Sequence, residues 1–393
     1  MKVLHVIPSL SSLRGGPTFV VKSLASYQAR AGVEVHVATT DDDDRGRQNV
    51  PLGAPVAGDG ATYWYFARNT RTYQSSVGLT SWLLRHTADF DLVHIHSLFT
   101  FPATAAATIA HRMSVPYVVR PLGVLNRWGL QNGRAWAKRL SIQLIENGIL
   151  RHAAAVQFSS VTERAETAEV CHLGKTAVIA NPVDLDPPAR RGLFRERYPS
   201  IGDRQIVLFL ARLHPVKGIE LLLSAFQILR QAKPQVVLAI AGSGDRKYEQ
   251  TLRTRTDQLG IAADVIWTGF LDRAAKAQAL ADADVFVVPS KSESFGLAAV
   301  EALAAGVPTV MTDRVGIADD VASNGAGIVV APDSGALAGA MERILSDAGL
   351  ATSLSRRGVS LVTSRYRPDA VAAEVIKLYA EISCKSLCSG GRA

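Results

Sequence analysis

The sequence predicts an α/β protein with two parallel sheets, each covered by helices on both faces. Short apolar, β-branched runs alternate almost throughout with segments whose apolar residues recur at helical spacing. Buried strands that alternate with helices are typical of parallel sheets. A length of 393 residues exceeds what one hydrophobic core usually serves, so we expect two domains, each Rossmann-like.

The strands can be assigned in order along the chain. Those of the first half are expected at residues 2–8, 33–39, 62–67, 92–97, 116–121, 155–160 and 177–182. Helical patterns fill most intervals, as in residues 18–32, where Phe19, Leu24 and Tyr27 share a face. Those of the second half are expected at residues 205–211, 236–242, 265–269, 285–290, 308–312 and 327–330. Each series predicts one sheet.

The domain boundary is expected in NPVDLDPPARRG, residues 181–192, where three prolines and paired arginines interrupt the apolar periodicity. We therefore assign residues 1–185 to the first domain and residues 186–366 to the second. Residues 367–383, which include Pro368 near their start, predict a final helix, and residues 384–393 predict a disordered tail.

Composition excludes several classes of protein. With 48% hydrophobic and 20% charged residues, the chain is globular rather than disordered. Cys171, Cys384 and Cys388 are too few for a disulfide framework and lack partner histidines at zinc-finger spacing, which fits a reducing cytoplasm. The start, MKVLHVIPS, predicts a strand rather than a signal peptide. No apolar run approaches the roughly 18 residues of a membrane helix.

The net charge of +8 is unevenly spread. Residues 120–151 contain one acid, Glu146, and six basic residues, namely Arg120, Arg127, Arg134, Lys138, Arg139 and Arg151. Trp128 and Trp136 lie among them. Such a segment could rest on an anionic membrane surface; a solvated helix face with core tryptophans explains it equally well. Nucleic-acid binding is not expected, because the basic residues do not recur in a recognised module.

The stretch PSKSESFGLAAVEALAAGVPTV, residues 289–310, is the most informative about function. Glu293 lies beyond the carboxyl end of a strand, and Glu301 lies about two turns into the following helix. Open parallel sheets bind ligands at that edge, and the amides from Phe295 to Ala298 would form a helix terminus suited to phosphate. Carboxylates beside phosphate suit neutral hydroxyls, which sugars carry. Taken alone, such a pair more often caps a helix and faces solvent.

Cationic and glycine-rich loops are predicted at the same edges. Arg212 and Lys217, in ARLHPVKG, follow the strand at 205–211 and could neutralise a leaving diphosphate without a metal; isolated loop cations are more often solvated. Gly15-Gly16 follows the first strand, where it forms either a structural turn or a close approach to a ligand. Neither this pair nor Gly242-Ser243-Gly244 completes a G-x-G-x-x-G fingerprint, so a nicotinamide dehydrogenase is not expected.

No metal site is expected. Asp282-Ala283-Asp284 precedes its strand and so lies at the wrong end of the sheet, and the run from Asp41 to Asp44 is typical of a solvated loop. We expect His94 and His96, which alternate along one strand, to face opposite sides. His96 lies nearer the carboxyl end and is the candidate for contact with substrate, although a structural role explains it equally well.

Several motifs together resemble one known family. Gly15-Gly16, ARLHPVKG, NPVD at 181–184, TGFLDRAAKAQAL at 268–280 and the Glu-x7-Glu of Glu293 and Glu301 resemble, in that order, the retaining glycosyltransferases of family 4. The resemblance implies the GT-B fold, with two Rossmann-like domains whose parallel sheets face across a cleft and a last helix that crosses back to the N-terminal domain. It also implies that the C-terminal domain binds a nucleotide-diphosphate sugar and the N-terminal domain the acceptor.

The resemblance implies roles for individual residues. Arg212 and Lys217 would bind the diphosphate, Glu301 the ribose hydroxyls and Glu293 a hydroxyl of the transferred sugar. Other donor contacts would be Phe295, Gly296, Leu297 and Ala298 around the diphosphate and sugar, Leu271 and Lys276 near the base, and Gly15 and Gly16, with Gly16 approaching the phosphate from the other domain.

The loop after residues 116–121 departs from the family. Many members have a histidine there, whereas this chain has Leu122. That leaves His96, or the donor phosphate itself, to take the acceptor proton. The acceptor contacts expected in this region are His96, Asn126, Arg127 and Trp128.

The function expected is a retaining, metal-independent hexosyltransferase of polysaccharide biosynthesis, with Glu293, Arg212, Lys217 and His96 as its catalytic residues. No cofactor is expected; the donor would be a UDP- or GDP-linked sugar, and the acceptor a glycan or lipid-linked saccharide. A GT-B epimerase or phosphorylase, and a catalytically silent nucleotide-sugar-binding scaffold, remain alternatives. The expected location is the cytoplasm, with peripheral contact at the inner face of the membrane left open.

Overall fold

The structure is a computed structural model that describes residues 1–43, 46–132, 135–184 and 189–389. It divides into two compact units. Unit 1 comprises Met1–Val183 and Pro368–Ala393, and unit 2 comprises Asp184–Arg367. Unit 1 is therefore made from two separate stretches of the chain.

The sheet of unit 1 has the strand order β3-β4-β2-β1-β5-β6-β7-β8 within the described residues. Its strands are β1 Lys2–Ser9, β2 Glu34–Thr40, β3 Pro55–Gly58, β4 Ala61–Phe66, β5 Leu92–His96, β6 Tyr117–Arg120, β7 Ala155–Phe158 and β8 Thr176–Val178. All neighbouring strands pair in parallel except β3 and β4. Strand β1 lies between β2 and β5, so the chain reverses its direction of travel across the sheet at β1.

The sheet of unit 2 is parallel throughout the described residues, in the order β11-β10-β9-β12-β13-β14. Its strands are β9 Gln205–Leu210, β10 Val236–Ala241, β11 Val265–Gly269, β12 Val285–Val288, β13 Thr309–Thr312 and β14 Ile328–Val330. The same reversal occurs here at β9, which lies between β10 and β12. Ligands of open α/β sheets bind beyond the carboxyl ends of strands at such a reversal.

Helices cover both sheets. Those before residue 184 are α1 Gly16–Arg30, α2 Val77–His86, α3 Phe101–Arg112, α4 Arg127–Gln131, α5 Ala135–Ser141, α6 Asn147–His152 and α7 Val161–Ala168, with a π-helical turn at Ile142–Glu146 joining α5 to α6. The next are α8 Leu193–Arg197, α9 Ile219–Ala232, α10 Arg246–Gln258, α11 Arg273–Asp282, α12 Leu297–Ala304, α13 Ala318–Ser323, α14 Ser334–Ser346 and α15 Ala348–Arg365. The last, α16 Pro368–Ser389, packs with α1 in unit 1.

The strands predicted from apolar runs are confirmed, with ends that shift by no more than about two residues except at β8, which ends at Val178 rather than at residue 182. Strand β3 was not predicted, because it is short, starts at Pro55 and ends at Gly58, and it makes the edge of the unit 1 sheet antiparallel. The predicted tail is wrong in part: residues 384–389 continue α16, since no glycine or proline interrupts the chain before Gly390. Residues 390–393 lie outside the described residues.

Among the described residues, none of the helices is both long enough and apolar enough to cross a bilayer. In each unit the apolar core lies on the faces of the sheet. The loops at the carboxyl ends of the strands carry polar side chains.

Candidate active site

The loop after β12 positions Glu293 through its backbone. The Glu293 N–H donates to the Arg314 carbonyl (3.0 Å), and the Gly316 N–H donates to the Glu293 carbonyl (2.7 Å). A short parallel bridge therefore fixes this loop to the one that follows β13. Gly296 completes the contact: with a φ of 104°, it lies so near Val315 that a Cβ would be 2.8 Å from Val315 Cγ1.

Gly218 brings the loop after β9 against the end of β12. Its φ is 69°, and a Cβ built on it would lie 1.9 Å from the Pro289 carbonyl oxygen. The Lys291 N–H donates to the Val216 carbonyl at 2.8 Å across the same contact. As a result Lys217 Nζ donates to Glu293 Oε2 in an ion pair whose two side chains are each 20% exposed. The structure thus brings together two residues that are 76 positions apart in the sequence.

Arg212 is on the same loop and is exposed. Its guanidinium has no hydrogen bond or ion pair with any residue that the structure describes. Partial burial, followed by the positive charges of Arg212 and Lys217, keeps the pKa of His214 below its usual value. This edge of unit 2 therefore carries two cationic side chains, Arg212 and Lys217, beside a neutral His214.

A third loop, after β10, packs on the same segment and was not assigned to the site from the sequence. The Leu213 N–H donates to the Ser243 carbonyl at 3.0 Å. A Cβ at Gly242 would lie 1.9 Å from the Ala211 carbonyl oxygen, and one at Gly244 would lie 2.1 Å from that of Leu213. The paired glycines were the available signal, and their role in the structure is to let two loops pack closely.

A second ion pair lies on α12. Lys276 Nζ, from α11, donates to Glu301 Oε1 at 2.6 Å, and these side chains are 22% and 28% exposed. At the start of the same helix the Leu297 and Ala298 N–H groups have no acceptor among the described residues, as expected for a helix N-terminus. The Lys276 ammonium and the free amides thus provide hydrogen-bond donors at α12, and the Glu301 carboxylate provides an acceptor.

Two of the side chains predicted to contact the donor are buried. Phe295 is 3% exposed and packs edge-on against the ring of Tyr366, with centroids 5.6 Å apart. Leu271 is 8% exposed. Phe295 would therefore contact a ligand through its backbone rather than through its ring. Its neighbours Gly296 and Leu297 offer backbone groups as well.

In unit 1, Gly15 and Gly16 lie between β1 and α1. Gly15 has a φ of 72°, which favours glycine, and its N–H donates to the Ser12 carbonyl at 3.1 Å. Thr18 Oγ1 donates to the Ser11 carbonyl at 2.8 Å, and Pro17 occupies the first turn of α1. The turn is tight, and no described atom lies within 4 Å of a Cβ built at Gly15.

His96 lies in a fully buried cluster with His5 and His94. The expectation that His94 and His96 face opposite sides is wrong, because residues two positions apart on a strand share a face; their rings stack with centroids 4.2 Å apart. His5 Nδ1 and His96 Nε2 are 2.9 Å apart, and His5 Nε2 is 2.8 Å from Gln28 Oε1. His96 is 0% exposed, so contact with an acceptor would require these side chains to rearrange.

Burial lowers the pKa of all three histidines, that of His5 to about 4, and the nearby Arg120 lowers them further. The Arg120 guanidinium is also buried, and its nitrogens have no hydrogen-bond partner among the described residues. The ring nitrogens of the histidines lie within 4.8 Å of one another, as metal ligands would. The charge of Arg120 opposes a cation beside it, however, and favours a structural role for the neutral rings.

The loop after β6 holds the other predicted acceptor contacts. Leu122 adopts a φ of 60°, which is rare for a residue other than glycine. Asn126 caps α4, accepting a hydrogen bond from the Gly129 N–H at 2.6 Å, and exposed Arg127 pairs with Glu169. Trp128 is half-buried. Of these side chains, Arg127 is the one most open to solvent.

The acidic runs have structural roles. Asp282 accepts hydrogen bonds from the N–H groups of Phe194 (2.9 Å) and Arg195 (3.0 Å), and Asp284 accepts one from Ile206 (2.8 Å), at the amino end of the sheet as expected. Asp41 is 2% exposed, and Asp42 pairs with Arg68 and is fully buried, so the prediction of a solvated loop is wrong at both positions. Asp44 lies outside the described residues.

Comparison with known proteins gives consistent matches over both units. The model of "Glycosyl transferases group 1" matches residues 191–360, and that of "Glycosyl transferase 4-like domain" matches residues 15–182. The chain is 30% identical to the phosphatidyl-myo-inositol mannosyltransferase of Mycolicibacterium smegmatis, over 98% of this chain and 94% of that protein.

Two solved structures share the fold over nearly the whole chain. Sucrose-phosphate synthase from Thermosynechococcus elongatus has a TM-score of 0.80 at 22% identity and covers 98% of this chain and 100% of its own. Anabaena HepE, crystallised with UDP-glucose, has a TM-score of 0.77 at 19% identity and covers 97% of this chain and 100% of its own.

Proposed function

The chain belongs to the glycosyl transferases group 1, the family 4 glycosyltransferases, whose GT-B fold it shares, and from this premise we propose the reaction that it catalyses. It moves a hexose, with retention of anomeric configuration, from a nucleotide-diphosphate sugar to a hydroxyl of a glycan or lipid-linked saccharide. The reaction needs neither a metal nor a cofactor, and it contributes to polysaccharide biosynthesis.

One observation supports this proposal more than any other: the contact between the loops after β9 and β12, which pairs Lys217 with Glu293 and leaves Arg212 exposed beside them. When a glycosidic bond to a diphosphate breaks, negative charge develops on the leaving oxygen. A fixed ammonium and a guanidinium stabilise that charge. The location supports the assignment too, because β9 and β12 are the strands where the unit 2 sheet reverses.

The carboxylates account for recognition of the sugars. In the proposal Glu293 accepts a hydrogen bond from a hydroxyl of the transferred hexose, and Glu301 accepts from the ribose. Each carboxylate already bonds a lysine, Lys217 and Lys276 respectively. A bound donor would give both lysines a phosphate or a base as a further partner, while each acid keeps an oxygen for hydroxyl groups.

The relatives support a nucleotide sugar as donor and a membrane-held acceptor. HepE was crystallised with UDP-glucose, and the mycobacterial relative is named for mannosyl transfer to phosphatidyl-myo-inositol. A UDP- or GDP-linked hexose is therefore the proposed donor, and an acceptor carried by a lipid is the proposed partner. Such an acceptor would place the enzyme in the cytoplasm, at the inner face of the membrane.

The test compares the turnover of Arg212→Ala and Lys217→Ala with that of wild type. Each should lower kcat by roughly 10²–10³ while the protein remains folded, because loss of one preformed donor to a developing oxyanion typically costs that much. Lys247→Ala is the matched control, since Lys247 is an exposed lysine of α10 in the same unit. Full turnover in both site variants would refute the assignment.

The donor is identified first, by thermal shift against a panel of nucleotide sugars. A ligand at 100 times its Kd adds about 2.7 kcal/mol to the free energy of unfolding, which is readily detected. NMR of the product then reports its anomeric configuration. An inverted product would overturn retention, and release of nucleotide that does not depend on acceptor would favour an epimerase.

A further inference from the structure

The helical segment that runs from α5 through the π-helical turn to α6, residues 135–152, carries an apolar surface facing solvent. Trp136 is 73% exposed, Leu140 is 47% exposed and Leu144 is 72% exposed. They are spaced four residues apart, so they lie on one side of a helix. We call these three side chains the outer face. Exposed single leucines are ordinary, but an exposed tryptophan aligned with two leucines is not.

The opposite side of the same segment is also apolar. Ile142, Ile149 and Leu150 are buried in the core of unit 1, and Ile145 packs against it. Apolar side chains on two sides of a helix are normally covered on both sides.

The charged side chains exposed on this segment have one sign. Arg139 and Arg151 are exposed on this segment. Glu146, the acid of residues 120–151, is buried and accepts hydrogen bonds from the Phe99 N–H (3.2 Å) and the Ser141 hydroxyl (3.1 Å). The carboxylate therefore points into the protein and leaves the surface cationic.

We propose that the outer face docks on an anionic phospholipid bilayer. Trp136, Leu140 and Leu144 would enter the boundary between headgroups and acyl chains, and Arg139 and Arg151 would contact lipid phosphates. The inference rests on the proposed function, because an acceptor carried by a lipid is what would require the enzyme at a membrane. Three side chains fall well short of the roughly 800 Å² per partner of a stable protein interface, but suffice for a shallow, reversible lipid contact.

The experiment measures co-sedimentation of the full chain with vesicles. Wild type should bind vesicles of phosphatidylglycerol and phosphatidylcholine, and should bind pure phosphatidylcholine at least about tenfold more weakly. Trp136→Ser/Leu144→Ser and Arg139→Glu/Arg151→Glu should each reduce binding to the anionic vesicles by about tenfold or more.

Each variant has a matched control in unit 1. Val77→Ser/Leu84→Ser removes two side chains that are 73% and 55% exposed on α2, and Arg85→Glu/Arg112→Glu makes the same change in net charge elsewhere. Both should sediment like wild type. The fluorescence of wild type should shift to the blue on vesicles; Trp136→Phe should keep the binding and lose the shift.

Several outcomes would overturn the proposal. These are no binding by wild type, equal loss in the control variants, or a blue shift that persists without Trp136. A dimer in solution that Trp136→Ser/Leu144→Ser dissociates would assign the outer face to a second copy instead. Thermal shifts with nucleotide sugar, recorded without vesicles, keep this test separate from the proposed function: they should be the same in every variant, whichever way the vesicles behave.

Discussion

Gly218 determines how close Lys217 comes to Glu293. At residue scale this glycine has two separate requirements, a positive φ and an absent Cβ, and the second is the stricter because a backbone oxygen occupies the space. Gly260 meets only the requirement for a positive φ. Its φ is 67°, and no described atom lies within 4 Å of a Cβ built on it. The two positions therefore separate backbone strain from steric exclusion.

Gly218→Ala should destabilise unit 2 by several kcal/mol and abolish transfer, because the loops after β9 and β12 must move apart. Gly260→Ala should cost only about 1–2 kcal/mol, the penalty of a left-handed conformation, and leave activity unchanged. Urea unfolding and initial rates measure both. Equal losses of stability in the two variants would show that the contact with Pro289 is not what matters.

Residue-scale prediction from the sequence succeeded for position but not for pairing. The carboxyl ends of strands could be read from apolar runs, so Arg212, Lys217 and Glu293 were correctly expected at one edge of a sheet. The ion pairs could not be read, since they depend on how closely loops pack. The backbone bridge between Glu293 and residues 314–316 could not be predicted from the sequence, because it is made by main-chain atoms that every residue has.

At the scale of elements, α16 is fixed to the unit 1 sheet by a buried hydrogen-bond chain as well as by apolar packing. The Tyr379 hydroxyl is 2.6 Å from His94 Nδ1, and the Gln28 Nε2–H donates to it at 3.2 Å. Burial raises the pKa of Tyr379, so the phenol stays protonated. This hydroxyl connects α16, α1 and β5.

Tyr379→Phe should lower the free energy of unfolding of unit 1 by about 1–3 kcal/mol, since His94 and Gln28 lose a partner that water cannot replace in the core. Tyr73→Phe is the matched control: its hydroxyl bonds Thr104 at the surface, 2.8 Å away, and its loss should cost less than about 0.5 kcal/mol. Chemical denaturation measures both. Similar costs would mean that the buried chain contributes nothing specific.

Sequence periodicity was a good guide to elements that bury apolar residues on both faces, and a poor guide elsewhere. The break before α16 is marked by Pro368, whereas the central strands follow directly from the periodicity. Strand β3 did not, because a short edge strand is held by pairing with β4 rather than by its own residues. The π-helical turn between α5 and α6 has no pattern of its own either, since an inserted residue looks like ordinary helix in sequence.

At the scale of the molecule, the histidine cluster makes stability depend on pH. In the folded protein His5, His94 and His96 have lowered pKa values, His5 about 4, and stay neutral; unfolded histidines bind protons below about 6.5. The unfolded state therefore gains protons first as the pH falls. The free energy of unfolding should be level above about pH 6.5 and should decline from there toward pH 4, by up to about 1.4 kcal/mol per pH unit for each histidine.

A Trp267→Phe background makes tryptophan fluorescence report on unit 1, because Trp267 is the tryptophan of unit 2. Urea midpoints measured from pH 7.5 to 5 give the slope. His96→Gln should flatten it, whereas His86→Gln, at a side chain that is 41% exposed, should not. A wild-type midpoint that is constant below pH 6.5 would contradict the assignment of these rings as neutral.

The two-part composition of unit 1 has a consequence for biosynthesis. A ribosome completes residues 184–367, and with them every strand of unit 2, before it makes α16. Val375 and Tyr379 of α16 belong to the core of unit 1. Until they are made, the apolar surface that they cover on the first segment stays exposed. We therefore expect the inserted unit to reach protease resistance on stalled chains while the earlier segment is still cleaved, reversing the usual order in which N-terminal domains fold first.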